Sequence, residues 1–386
     1  MFFVPRRRAV TGRIVGPDRE LGHRMRDRAF PEPDRTERKR VVIVGGGIAG
    51  LTAAHELERQ GIRDFVLLEL ESQAGGNSVS GENGVSAFPW AAHYLTLPGA
   101  EATEVTDLLR EFGVIVGDDA QGRPIYREEY LGQDPQERLF LHGRWQEGLV
   151  PQLGLSPDER LQIESFQAQM SALKERRGSD GRAAFVIPVD RSSQDPDLLA
   201  LDRLSFGDWL TKAGFTAAPL RWYADYCCRD DFGLPADRVS AWAGLHYFAA
   251  RNAEAANAPS HAVLTWPAGN GWLVERLRQP LGERVRGGGA VFRVEDSSSG
   301  VAVDVFDAGV QRSLRIEAER VVLATPQFVT RRLLGGADGA VGGDLPVYGP
   351  WMVANLTLDA LPAGRGAALA WDNVWYGSRS LGYIVA

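Results

Sequence analysis

Residues 41–50, VVIVGGGIAG, restrict the fold more than any other stretch of the chain. Four β-branched apolar residues make a buried-strand run, and Gly45, Gly47 and Gly50 follow as G-x-G-x-x-G. The next residues, IAGLTAAHELERQG, place Ile48, Leu51, Ala54 and Leu57 on one helical face, with Gly61 where a C-terminal cap belongs. DFVLLE then reads as a second strand ending in Glu69. Each residue has a physical task in such a unit. Gly45 permits the tight turn, Gly47 leaves room for a pyrophosphate beside the backbone, and Gly50 lets the helix pack close to the sheet. The N–H groups at Ile48, Ala49 and Gly50 open the helix, where the backbone offers donors and a partial positive charge to phosphate. Glu69 follows Gly50 by 19 residues, the distance at which a carboxylate accepts hydrogen bonds from a ribose hydroxyl. The unit predicts a dinucleotide-binding α/β domain.

This turn suits FAD and NAD equally. The residues beyond it, ELESQAGGNS, add Gly75 and Gly76. Here the sequence resembles the flavin-dependent amine oxidase superfamily, which includes phytoene desaturases and protoporphyrinogen oxidases. That resemblance implies FAD, with Gly75 and Gly76 beside its pyrophosphate. The family usually carries arginine after these glycines, whereas this chain has Asn77 and Ser78, which take the cofactor-binding positions here. GGNS also resembles UDP-galactopyranose mutases, which use the flavin for an isomerisation.

A later region belongs with the first. TWPAGNGWLVERL (265–277) resembles the family's proline–glycine turn followed by a helix. AVFRVE, VAVDVF and RSLRIEA alternate as three short strands of a β-meander, and RVVLATP reads as a separate buried strand ending at Pro326. By the resemblance, Val291 holds the adenine through its backbone, and Ala324 and Pro326 lie near the cofactor. The expected organisation is a basic irregular arm (1–38), a discontinuous Rossmann-like FAD-binding domain with a β-meander (39–110 and 262–335), and a mixed α+β substrate domain (111–261 and 336–386).

The rest of the chain bounds function by exclusion. The net charge of −7 gives no general attraction to nucleic acid. Hydrophobic residues make up 44%, enough for packed cores, yet no run is long enough to span a membrane. The two cysteines, Cys227 and Cys228, are adjacent, which rules out a disulfide framework and predicts two half-buried thiols on a helix. No metal constellation occurs among the six histidines. The arginine cluster at Arg6–Arg8 suggests an export signal, but Gly12, Arg13, Gly16, Pro17 and Asp18 interrupt the apolar stretch that should follow, so a cytoplasmic setting is expected.

In the substrate region, ERLFLHGRWQ predicts a hairpin turning at Gly143, Ser156 and Pro157 open a helix, and WMVANLTLD predicts a strand. Asp230 and Asp231 read as a solvated helix end. His93, in FPWAAHYL, is the one weak catalytic candidate, since related flavoproteins bring this loop near the flavin ring. The expected activity is hydride transfer from a largely apolar small organic molecule to flavin; the alternatives are the isomerase and a non-catalytic flavin binder. Lysine occurs only at 39, 174 and 212, so the lysine that many amine oxidases place near the flavin has no counterpart late in the chain. The family's late glycine-containing strand and helix also lack a counterpart, and the expectation is a C-terminally truncated reading.

Overall fold

A computed structural model describes residues 12–27, 29–132, 135–298, 300–335 and 346–385. The chain divides into two compact units, Met1–Asn77 with Val274–Pro346 and Ser78–Leu273 with Val347–Ala386. The divisions fall after Asn77 and Leu273, so residues 78–110 belong with the second unit and the N-terminal arm with the first.

The first unit is built on six strands: β1 (Arg35–Val44), β2 (Phe65–Leu68), β3 (Val285–Arg286), β4 (Gly289–Ser297), β5 (Gly300–Asp307) and β6 (Arg312–Leu323). They form one sheet in the order β3-β2-β1-β6-β5-β4. β1 is parallel to both β2 and β6, with Val41–Val44 beside Phe65–Leu68 on one side and Arg320–Leu323 on the other. Val41–Val44 and Phe65–Leu68 are buried at every position, as strands covered on both faces require. β4, β5 and β6 form the antiparallel meander.

The structure corrects two expectations here. RSLRIEA and RVVL are one continuous strand, β6, not two. Arg312–Ala318 pair antiparallel with β5 and Leu314–Leu323 run parallel to β1, so the two ladders overlap over Leu314–Ala318 and β1 carries the strand on past Glu319 and Arg320. The arm is not irregular throughout. Asp18 Oδ1 accepts from Glu20 and Leu21 N–H at 3.0 Å each and so caps α1 (Arg19–Asp27). Leu21 is buried against Ala290 and Phe306, and Phe30 stacks on Phe292 at 5.0 Å. Arg24 lies over the Phe306 ring at 4.2 Å, and Glu32 and Asp34 pair with Arg293 and Arg312 at 2.6 and 2.7 Å. Aromatic contact and charge pairing therefore dock the arm on the meander. The Arg6–Arg8 cluster lies outside the described residues.

In the second unit, helices Pro157–Glu175, Phe206–Lys212, Ala218–Phe232 and Ala241–Ala249 share a core around Phe166, Phe206 and Leu245. Ser156 and Glu159 form a reciprocal capping box, as the sequence implies. A four-stranded sheet orders Tyr383–Ile384, Asp372–Trp375, Glu137–Leu141 and Arg144–Glu147. The hairpin turns at His142 and Gly143, both at positive φ. Cys227 and Cys228 are fully buried, not half-buried, and unbridged. WMVANLTLD is not a strand: residues 351–358 have no ladder partner among the described residues, and Met352 and Leu356 are exposed. GGADGAVGGD falls largely outside the described residues.

Candidate functional site

The glycine turn joins β1 to α2 (Ile48–Arg59). Gly45 has φ +102, and a Cβ there would lie 2.5 Å from Ala324 O. A Cβ on Gly50 would overlap Gly45 O. Gly47 differs: a Cβ there would meet nothing within 4 Å, so its open side is space that a side chain would fill. Gly47 is also the N-cap of α2 and supplies no side-chain acceptor, which leaves the first-turn donors to an external partner. Ile48 and Ala49 at this end are exposed.

The second glycine segment lies against the first. Gly75 N–H donates to Gly46 O at 2.7 Å, and Gly47 and Gly75 bridge as parallel neighbours. Gly76 has φ +55, and its Cβ would stand 3.1 Å from Gly47 Cα. Two side-chain-free backbones therefore meet at Gly47. Asn77 follows exposed and Ser78 buried.

Glu69 closes this cradle. Its carboxylate is buried and accepts the Gly46 N–H at 2.6 Å and the Glu71 N–H at 2.9 Å. A carboxylate has about four lone-pair sites, so two remain for hydroxyl donors. Val291 is buried on β4, the sheet's edge strand, at the point where the register with β5 shifts. Ala324 N–H donates to Val44 O at 2.8 Å, which sets Ala324 beside the glycine turn; Pro326 is exposed as the N-cap of the helix Gln327–Leu333.

A family model described as an NAD(P)-binding Rossmann-like domain matches residues 43–112. A protein named as a flavin-containing monoamine oxidase in Mycobacterium tuberculosis is 27% identical over 293 residues, 74% of this chain and 56% of that protein. The chain is thus similar to a flavin-containing amine oxidase over most of its length. Putrescine oxidase bound to putrescine shares its fold with TM-score 0.55 and 18% identity, over 77% of this chain and 60% of that one. A fatty acid isomerase from P. acnes shares it with TM-score 0.53 and 18% identity, over 78% and 62%. The chain thus spans less than two thirds of the length of each. The relative is named as flavin-containing, and the open Gly47, the bare Gly75–Gly76 backbone and the buried Glu69 fit the adenosine diphosphate end of a dinucleotide such as FAD.

The second unit carries polar chemistry of its own. His93 is half-buried, with its ring 5.1 Å from Tyr94 and 5.3 Å from Trp371. Its Nδ1 lies 2.9 Å from Ala91 O; a carbonyl only accepts, so Nδ1 carries the proton and Nε2 keeps a lone pair. Burial lowers the imidazole's pKa. The loop is fixed by Thr265, which donates to His93 O at 2.9 Å, and by Asn270, which donates to Tyr94 O at 3.0 Å.

A cavity of about 280 Å³ is lined by Tyr94, Thr96, Asp231, His246, Tyr247 and Arg251, among others. Arg251 lies over the Tyr247 ring at 4.5 Å, 3.5 Å from the Tyr94 hydroxyl and 3.8 Å from Asp231. The solvated-end reading of 230–231 is overturned: Asp231, although its residue is partly exposed, lines this cavity beside Arg251, and Asp230 is part-buried, where burial together with Asp231 pushes its carboxyl up to about 6. Sequence reasoning missed this cavity because its residues come from segments up to 157 positions apart. The adjacent acids were its only visible trace.

Proposed function

We propose that the chain is the FAD-holding part of an oxidoreductase that removes a hydride from a largely apolar organic substrate. The meeting of the two glycine segments at Gly47, beside buried Glu69, is the observation that carries this reading. In it, Gly45, Gly47, Gly75 and Gly76 receive the pyrophosphate with backbone N–H groups, and Ile48, Ala49 and Gly50 orient it at the helix terminus. Asn77 and Ser78 extend the same wall. Glu69 accepts from the ribose, the backbone of Val291 holds the adenine, and Ala324 and Pro326 border the cofactor. Bound FAD supplies the two-electron acceptor; the protein positions substrate and excludes water. His93 is the candidate for handling a proton, because Nε2 is left free to accept.

The matched monoamine oxidase and putrescine oxidase support oxidation of a small molecule. A second reading, a flavin-dependent isomerase, draws support from Asn77 and Ser78 after the paired glycines and from the fold shared with the fatty acid isomerase. No helix of the described residues is long and apolar enough to cross a membrane. Anaerobic spectra of FAD-loaded protein test the function. Bleaching by substrate alone marks the oxidoreductase, whereas turnover only after prior reduction marks the isomerase. Failure to bind FAD would overturn both.

A further inference from the structure

In the second unit, Asp372 and Glu137 are direct partners in the parallel ladder between Asp372–Trp375 and Glu137–Leu141. Parallel neighbours stand about 4.8 Å apart, and side chains at matched positions leave the sheet on one face. The adjoining partners, Arg138 and Asn373, emerge on the opposite face, where Arg138 Nε donates to Asn373 Oδ1. Arg138 therefore does not neutralise the acids. Neither Glu137 nor Asp372 forms an ion pair among the described residues. Asp372 accepts one backbone N–H, from Asn373.

The charged groups around the pair deepen the imbalance. From the helix Ala218–Phe232, Asp230 acts on both acids. Tyr223, Tyr226 and Cys227 on the same helix are held neutral by burial. Arg251 is the cation that acts on Glu137, and it also serves Asp231 and the Tyr94 hydroxyl. Glu137, Asp230 and Asp231 thus share one guanidinium, and among the described residues no cation acts on Asp372.

We propose that Glu137 and Asp372 share a proton taken from solvent, and that this proton latches the strand Asp372–Trp375 onto the sheet. Two adjacent carboxylates of this kind resist losing both protons. Burial raises both carboxyls above their ordinary range, Asp372 well above it. An acid whose folded pKa is raised favours the folded form below its unfolded pKa. That advantage is lost as pH rises through the folded value. Docking of the strand accordingly weakens as pH rises through the raised values.

Hydrogen exchange on the full chain, corrected for intrinsic rates, tests this at residues 372–375 and 383–384. Protection in the unsubstituted protein should fall as pH rises above the ordinary carboxylate range, by up to about tenfold per pH unit where the pair titrates. Glu137→Gln and Asp372→Asn should each flatten that slope, while residues 65–68 report global opening. Asn373→Ala, on the opposite face, should lower protection at every pH and leave the slope intact. A flat profile in the unsubstituted protein, or an unchanged slope in both Glu137→Gln and Asp372→Asn, overturns the proposal. If either variant fails to fold, the other and the unsubstituted profile decide.

Discussion

Glu69 holds the glycine turn by its middle residue: Gly46 N–H donates to the Glu69 carboxylate at 2.6 Å across 23 positions of sequence. The acid at the end of β2 thus fixes the shape of the loop in addition to its proposed contact with the ribose. Glu69→Ala should weaken FAD retention by roughly 10- to 150-fold, the loss of one charge-assisted hydrogen bond of about 1.5–3 kcal/mol. Equilibrium dialysis against FAD checks this, and unchanged affinity would remove Glu69 from the site.

The glycines separate folding from binding. Gly50→Ala drives a methyl into Gly45 O, so it should cost at least the about 1–3 kcal/mol typical of overpacking. Gly47→Ala meets open space and should stay within about 1 kcal/mol of the parent, as an N-cap change from glycine allows. Yet Gly47→Ala should lose FAD affinity by about tenfold or more, roughly 1.4 kcal/mol. Denaturant titrations and FAD binding on both proteins supply the comparison. Equal FAD affinity in Gly47→Ala and the parent would contradict the cradle.

Oxidation of simple primary amines should be poor. The three lysines are Lys39, Lys174 and Lys212, and Lys174 is engaged with Arg251 O at 3.2 Å. Stopped-flow mixing of FAD-loaded protein with benzylamine or a polyamine should leave the flavin oxidised; rapid bleaching refutes this.

His93 should stay neutral through pH 7 as the Nδ1–H tautomer, since burial lowers its pKa and Ala91 O takes its proton donor. A histidine whose folded pKa is lowered stabilises the fold above its unfolded pKa of about 6.5, and that contribution is lost as pH falls. Nitrogen-15 shifts of the His93 ring between pH 8 and pH 5 report both tautomer and titration. A ring already cationic at pH 7 is the opposing result.

Arg138 is buried at 2% exposure and donates to Asn373 Oδ1, Ala367 O and the Tyr383 hydroxyl. Arg138→Leu strands these acceptors and should cost about 1–3 kcal/mol for each group left unsatisfied. Urea unfolding followed by tryptophan emission measures it, because Trp145 lies 4.0 Å from the guanidinium. An unchanged midpoint would mean that water or neighbouring groups replace the guanidinium.

The legible parts of the molecule were those written locally. The glycine turn, α2 and the Ser156 cap each lie within a few residues, and propensity alone identifies them. What escaped depended on partners distant in sequence. β6 reads as two strands until β1 and β5 flank it, and WMVANLTLD has strand composition without a ladder partner. Val285–Arg286 is too short to announce itself, although it completes the parallel edge beside β2. In the second unit, Arg138 meets Asn373 over 235 positions, a separation that no periodicity encodes.

The pairing of β1 with β6 also sets the order of events at the ribosome. Val44 and its ladder partner Leu323 are separated by nearly the whole second unit. At the usual pace of synthesis, about 5–20 residues per second, the first hydrophobic strand emerges tens of seconds before its neighbour exists. Through that interval Val41–Val44 presents an unsatisfied edge, the kind of surface on which nascent chains aggregate. The yield of this protein should therefore respond to chaperone capacity more than its finished sheet implies.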